Sequence, residues 1–128
     1  MADHGELDTR YVSLATRRRD GREVRTPVWL VRLGTRYYVF SAKDAGKVKR
    51  VRAQGSALLA PCSARGVPHG DWQPARARLV DEPALLGAVY AALRAKYGWQ
   101  MRLLDWLSRL AGRYHHRAVI ELELEQAS

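Results

Sequence analysis

Tyr11-Val-Ser-Leu-Ala-Thr16, Glu23-Val-Arg-Thr-Pro-Val-Trp-Leu-Val-Arg-Leu33 and Arg36-Tyr-Tyr-Val-Phe-Ser41 follow one another, separated by short turns. All three are rich in β-branched and aromatic residues and read as strands. Asp20-Gly21 is a strong hairpin signal, and Gly34-Thr35, with glycine first, fits a two-residue type II′ loop. Strands joined this tightly must run antiparallel. Pro27 has no N–H to give, so the second strand needs an edge, a bulge or a bend there. Gly46-Lys-Val-Lys-Arg50 follows at once, in a short helix running to about Gln54. Asp44 or Ser41 is a candidate cap, Val48 and Val51 face inward, and Gly55 stops the helix. A strand end beside a basic helix start is suited to holding a phosphate.

Outward from this stretch the pattern continues. Ser56 to Cys62 is an apolar strand, Ala64 to Gly70 a loop, and Trp72 to Val80 a strand with Arg76 and Arg78 on one face. Glu82-Pro83 opens a helix that buries Leu85, Leu86, Val89, Tyr90, Leu93 and Tyr97 and ends at Gly98. The spacing predicts a second helix with Leu103, Leu104, Leu107, Leu110 and Ala111 inward and Gly112 as its stop. Arg117 to Glu125 reads as a last strand, with Ala118, Ile120, Leu122 and Leu124 in and Glu121, Glu123 and Glu125 out. The order β-β-β-α-β-β-α-α-β predicts a mainly β protein. About six antiparallel strands of this length curl into a barrel with helices plugging an end. Residues 1–9 read as a flexible tail and residues 10–128 as a single domain.

The chain has 128 residues, enough for one hydrophobic core. Its one cysteine, Cys62, excludes an internal disulfide, suits a reducing cytoplasm and reads as packing. No apolar run approaches the ~20 residues of a membrane span, so no membrane partner is expected. The N-terminus lacks the basic start and apolar stretch of a secretory signal. With 22 Lys and Arg against 13 Asp and Glu, the net charge is +9, a field that attracts anions. Two segments concentrate it: five Arg lie between Arg17 and Arg25, and five Lys or Arg between Lys43 and Arg52.

Lys43, Lys47 and Arg50 share one helical stripe, which is either a phosphate site built with Ser41 or a solvated basic face. Trp29 is either a rigid wall for a flat ring or an ordinary core residue. His115 and His116 are adjacent and would point to opposite faces of a strand, so they cannot chelate one ion together, and no metal site is expected. His69, on a loop, is a candidate proton donor to a bound ring. Basic segments near Tyr37, Tyr38 and Phe40 also suit single-stranded nucleic acid.

Ser13-Leu-Ala-Thr16, Asp20-Gly21, Thr26-Pro-Val-Trp29, Tyr38-Val-Phe-Ser41 and Gly46-Lys-Val-Lys-Arg50 together resemble the pyridoxamine 5′-phosphate oxidase-like flavin-binding split-barrel superfamily. Within it they resemble the small branch of F420-dependent (deazaflavin) oxidoreductases. The resemblance implies a six-stranded split barrel, a homodimer with the cofactor between subunits, and coenzyme F420 or FMN as that cofactor. It implies hydride transfer to or from a small organic substrate. Carried over residue by residue, the ring-lining segment falls on Arg25, Thr26, Pro27, Val28, Trp29 and Leu30. The aromatic–hydroxyl pair falls on Phe40 and Ser41, and the phosphate position on Lys47 with Arg50 nearby. Relatives often end the basic helix with Asn-Pro, where this chain has Gln54-Gly55. Phosphate oxidases proper carry a further C-terminal segment, so vitamin B6 chemistry is not expected. The alternative function is a non-enzymatic split-barrel module that binds a cofactor or nucleic acid.

Overall fold

A computed structural model describes residues 7, 9–42, 45–110, 112 and 117–125. The strands are β1 (Val12–Arg17), β2 (Glu23–Val28), β3 (Leu30–Leu33), β4 (Arg36–Ala42), β5 (Ser56–Pro61), β6 (Gln73–Val80) and β7 (Arg117–Leu124). The helices are α1 (Gly46–Gln54), α2 (Pro83–Tyr97) and α3 (Trp99–Leu110). All strands join one antiparallel sheet in the order β2-β1-β5-β6-β7-β4-β3.

That order explains the barrel. The two edge strands, β2 and β3, are separated in the chain by Trp29 alone. Two peptide steps span at most about 7 Å. The sheet must therefore roll up until its first and last strands meet at this corner, while the edges part beyond it. The result is a split barrel. It has seven strands, not the expected six, because the single strand read over residues 23–33 breaks at Trp29. Pro27 lies on edge strand β2, where a missing N–H costs no ladder bond.

The break leaves backbone groups to satisfy, and α2 supplies the partners. The Leu30 N–H donates to the Tyr97 hydroxyl at 2.9 Å, and that hydroxyl lies 2.8 Å from the Arg10 carbonyl. Lys96 Nζ donates to the carbonyls of Leu30 at 2.6 Å and Thr9 at 2.8 Å. Tyr97→Phe removes the acceptor for a buried N–H, so a loss of about 1–3 kcal/mol is expected. Denaturant unfolding measures the loss, and faster hydrogen exchange at the Leu30 amide locates it. Unchanged exchange there would refute this role.

Two cores result. Inside the barrel, Val12, Leu14, Leu30, Tyr37, Val39, Leu59, Ile120 and Leu122 pack with Val48 and Val51 of α1, which plugs one end. Outside, Val31, Tyr38, Val80 and Val119 pack against Val89, Leu93 and Tyr97 of α2 and Met101 of α3. Leu7, within the expected tail, is fully buried in the inner core. Gly55 ends α1 at φ 67°, as the sequence implies. Ser41 lies in β4, and the α1 N-cap is Ala45 with no side-chain cap bond; Asp44 lies outside the described residues. Gly34 has φ 66° and no non-glycine residue described has positive φ, which makes the Gly34-Thr35 turn type II′ rather than I′.

Two sequence expectations are corrected. Glu121 does not face solvent: it is buried, accepting from Arg78 Nε at 2.7 Å and the Tyr38 hydroxyl at 2.9 Å. The register sets Arg78 opposite Glu121 and Arg76 opposite Glu123, so cross-strand ion pairs cover that face. The second correction concerns α3. Leu103, Leu107 and Leu110 are exposed rather than inward, Leu104 is half-buried, and Ala111 lies outside the described residues. The inward side of α3 carries Met101 and Asp105. Asp105 accepts from Arg117 Nη1 at 2.6 Å and Arg94 Nε at 3.1 Å, and these bonds orient the helix.

Burial would raise the Glu121 carboxyl pKa. The hydrogen bonds from Arg78 and Tyr38, with the charges of Arg78 and Arg36, outweigh that and lower it from 4.5. A carboxyl with a depressed folded pKa stabilises the fold above its unfolded value. That contribution is lost as pH falls through the folded value. Stability is therefore expected to decline on acidification below about pH 4.5. Glu121→Gln should flatten the decline in Tm; equal slopes for both proteins would contradict the assignment.

Candidate cofactor groove

The groove opens at the β2–β3 corner. It holds about 290 Å³ and is lined by Tyr11, Pro27, Val28, Trp29, Phe40, Ser41, Lys47 and Ala64. Three elements thus converge: the β2–β3 corner, the end of β4, and the first turn of α1. Phe40 and Ser41 are consecutive on β4, so their side chains point to opposite faces of the sheet. Phe40 joins an aromatic cluster on the outer side, 6.3 Å from the Trp29 ring and 6.1 Å from Tyr90. Ser41 turns to the barrel side and is 9% exposed. The groove runs across the rim, from flat aromatic walls to a hydroxyl and an ammonium.

Trp29 combines the two readings offered by its sequence context. It stacks on Tyr97 with ring centroids 4.4 Å apart and planes 8° from parallel, and it also lines the groove. Tyr97 is itself held by the backbone bonds of the barrel corner, so the Trp29 ring rests on a rigid support.

Lys47 is half-buried. Burial first, and the Arg50 guanidinium second, hold its ammonium below the usual lysine range. It makes no hydrogen bond or ion pair with another described residue. A half-buried cation without a partner is costly, and an anion would relieve that cost.

The other residues expected at the site sit elsewhere. Arg50 Nε donates to the Thr16 hydroxyl at 2.6 Å, and its guanidinium folds back over Gly46. Arg25 is exposed, paired with Glu23 at 2.6 Å and stacked 4.7 Å above Trp72. Thr26 pairs with Leu14 and shares its barrel-side face. None of the three lines the groove, and neither does Leu30, fully buried in the inner core, nor exposed His69. Lys43, His115 and His116 lie outside the described residues. Cys62 is buried, and burial pushes its thiol pKa up, as for a packing residue.

Three contributors were not singled out from the sequence. Tyr11 and Ala64 complete the lining, and Arg117 stacks 5.2 Å from the Phe40 ring. Tyr11 carried a signal, since it opens the first strand with a large polar-tipped ring. Arg117 carried none, because its partners lie on three other elements.

No protein-family model matches this sequence, and no curated protein matches it. Solved structures do. HutZ, the heme storage protein from Vibrio cholerae, superposes with a TM-score of 0.72 at 18% identity, over 95% of this chain and 86% of that one. An F420 reductase superposes with a TM-score of 0.59 at 17% identity, over 98% and 97%. A pyridoxamine 5′-phosphate oxidase-related, FMN binding protein from Nostoc punctiforme superposes with a TM-score of 0.57 at 15% identity, over 90% and 70%. The fold is that of the pyridoxamine 5′-phosphate oxidase-like proteins. At these identities the likeness is one of fold, and this split barrel's function must be argued from its groove.

Proposed function

We propose that this chain is an oxidoreductase that holds coenzyme F420 or FMN in the rim groove. The anionic arm lies at Ser41 and Lys47, and the ring system lies along Pro27, Val28, Trp29 and Phe40. The observation that carries this reading is Lys47, a half-buried ammonium without a described partner, set beside a hydroxyl and a rigid aromatic wall. That donor set suits a phosphate joined to a flat ring.

When bound, such a cofactor supplies hydride-transfer chemistry to or from a small organic substrate. The chain's residues bind and orient. Lys47 neutralises the arm and Ser41 donates a hydrogen bond to it, while Trp29, backed by Tyr97, fixes the plane of the ring. The groove in one copy is near the lower limit of about 300 Å³ for small-molecule sites. Closure by a second copy, giving a homodimer with the cofactor at the interface, fits that size.

A fluorescence titration of the purified protein with F420 and with FMN tests the reading. One of the two is expected to bind saturably, and the protein is expected to elute as a dimer. Haem is the reference ligand. The described lining offers Tyr11 as an iron donor but no His, Cys or Met, so haem should bind more weakly. No uptake of either flavin, with salt-sensitive binding of single-stranded nucleic acid instead, would favour the binding-module alternative.

A further inference from the structure

Helix α3 is built with its apolar side outward. Trp99, Leu103, Trp106, Leu107 and Leu110 are 71%, 45%, 58%, 48% and 67% exposed. At 3.6 residues per turn they form one continuous stripe about 100° wide. Met101 and Asp105 occupy the opposite side and are buried. Arg102 and Arg109, both exposed, border the stripe. The helix's only acidic residue is Asp105, which is turned inward, so the outward half carries no negative charge.

We propose that α3 docks this protein onto an anionic membrane surface. In this arrangement the stripe enters the headgroup boundary, and Arg102 with Arg109 meets anionic headgroups. Three observations favour a lipid surface. The stripe has the Trp and Leu composition of helices that lie in a bilayer interface, with Arg at its border. The chain's net charge of +9 draws it to anionic lipid. A 12-residue helix is about 18 Å long, so one such stripe offers a few hundred Å², short of the ~800 Å² per partner of a stable interface. No described helix is long and apolar enough to cross a membrane, so the contact is peripheral. The earlier expectation of no membrane partner rested on the lack of a spanning segment, which does not bear on a helix lying flat. The inference is independent of what the groove binds.

Co-sedimentation of the full chain with phosphatidylcholine vesicles, with and without phosphatidylglycerol, tests it. Binding is expected with phosphatidylglycerol, weakening as salt rises, and brominated lipid should quench tryptophan emission. The double variant Trp106→Ser, Leu107→Ser alters exposed side chains only and should keep its Tm. It is expected to bind these vesicles at least about tenfold more weakly. The proposal is overturned if the wild type ignores anionic vesicles at low salt, or if the variant binds them equally well. It is also overturned if the variant's one change is a lower oligomeric state, which would make the stripe a contact between copies.

Discussion

Asp105→Ala is expected to destabilise the protein by about 3–5 kcal/mol, the cost of breaking a buried ion pair from one side. Asp105 is 6% exposed and lies 2.6 Å from Arg117 Nη1 and 3.1 Å from Arg94 Nε. The Arg117 side chain is 8% exposed, so removing the carboxylate leaves that guanidinium in a place water reaches poorly. Its hydrogen bonds to Ser108 Oγ at 2.8 Å and the Leu104 carbonyl at 3.3 Å are with neutral groups. Thermal melting should show a fall in Tm of roughly 10–20 °C for a chain of this size. Asp20→Ala, which breaks an exposed pair with Arg22, is the control and should lower Tm far less. Equal effects of the two substitutions would show that Asp105 does not anchor α3.

Lys47→Met is expected to weaken cofactor binding by about 1.5–3 kcal/mol, roughly 10- to 150-fold, the loss of a charge-assisted hydrogen bond. The same substitution should leave the melting temperature of the free protein unchanged or raised. Burial and Arg50 already disfavour the Lys47 ammonium, so the free protein gains nothing from its charge. Binding should also fall as pH rises through the Lys47 pKa, and at lower pH than for an ordinary lysine, because that pKa is lowered. A bound anion favours the protonated form and shifts this fall toward higher pH. Loss of stability without loss of affinity would mean that Lys47 is structural.

The parts of the fold that depend on local pattern were legible in the sequence. Asp20-Gly21 and Gly34-Thr35 announced their turns, Pro27 announced an edge, a bulge or a bend, of which the fold has the edge, and Gly55 and Gly98 ended their helices where expected. The strand break at Trp29 was not legible, because it is a demand of barrel closure rather than of local propensity. The facing of α3 was misread for a related reason. Helical periodicity identifies an apolar stripe but not what it faces. The side that turns inward is chosen by Asp105, whose partners Arg94 and Arg117 lie on α2 and β7. Glu121 was misplaced likewise: alternation put it on the outer face, but not under the guanidinium groups of Arg36 and Arg78.

The candidate site was legible in its components. Pro27, Trp29, Ser41 and Lys47 were singled out by the residues themselves, Val28 and Phe40 were assigned to a cofactor site by the family resemblance alone, and all six line one groove. Arg50 illustrates the limit. Its position on α1 suggested a phosphate ligand, but its side chain has a closer partner in the Thr16 hydroxyl at 2.6 Å, on a strand the helix stripe could not reveal. Tyr97 illustrates the converse, since a residue read simply as buried also supports the Trp29 ring and seals the barrel corner.

The pairing of Lys47 with the cofactor's phosphate is tested most directly by comparing FMN with riboflavin, which lacks that phosphate, in the wild type and in Lys47→Met. Dissociation constants from flavin fluorescence give the cycle. With FMN as the cofactor that binds, wild type is predicted to prefer it over riboflavin at least about tenfold, and the variant to bind both flavins with nearly equal affinity. An FMN preference as large in the variant as in the wild type would contradict the account.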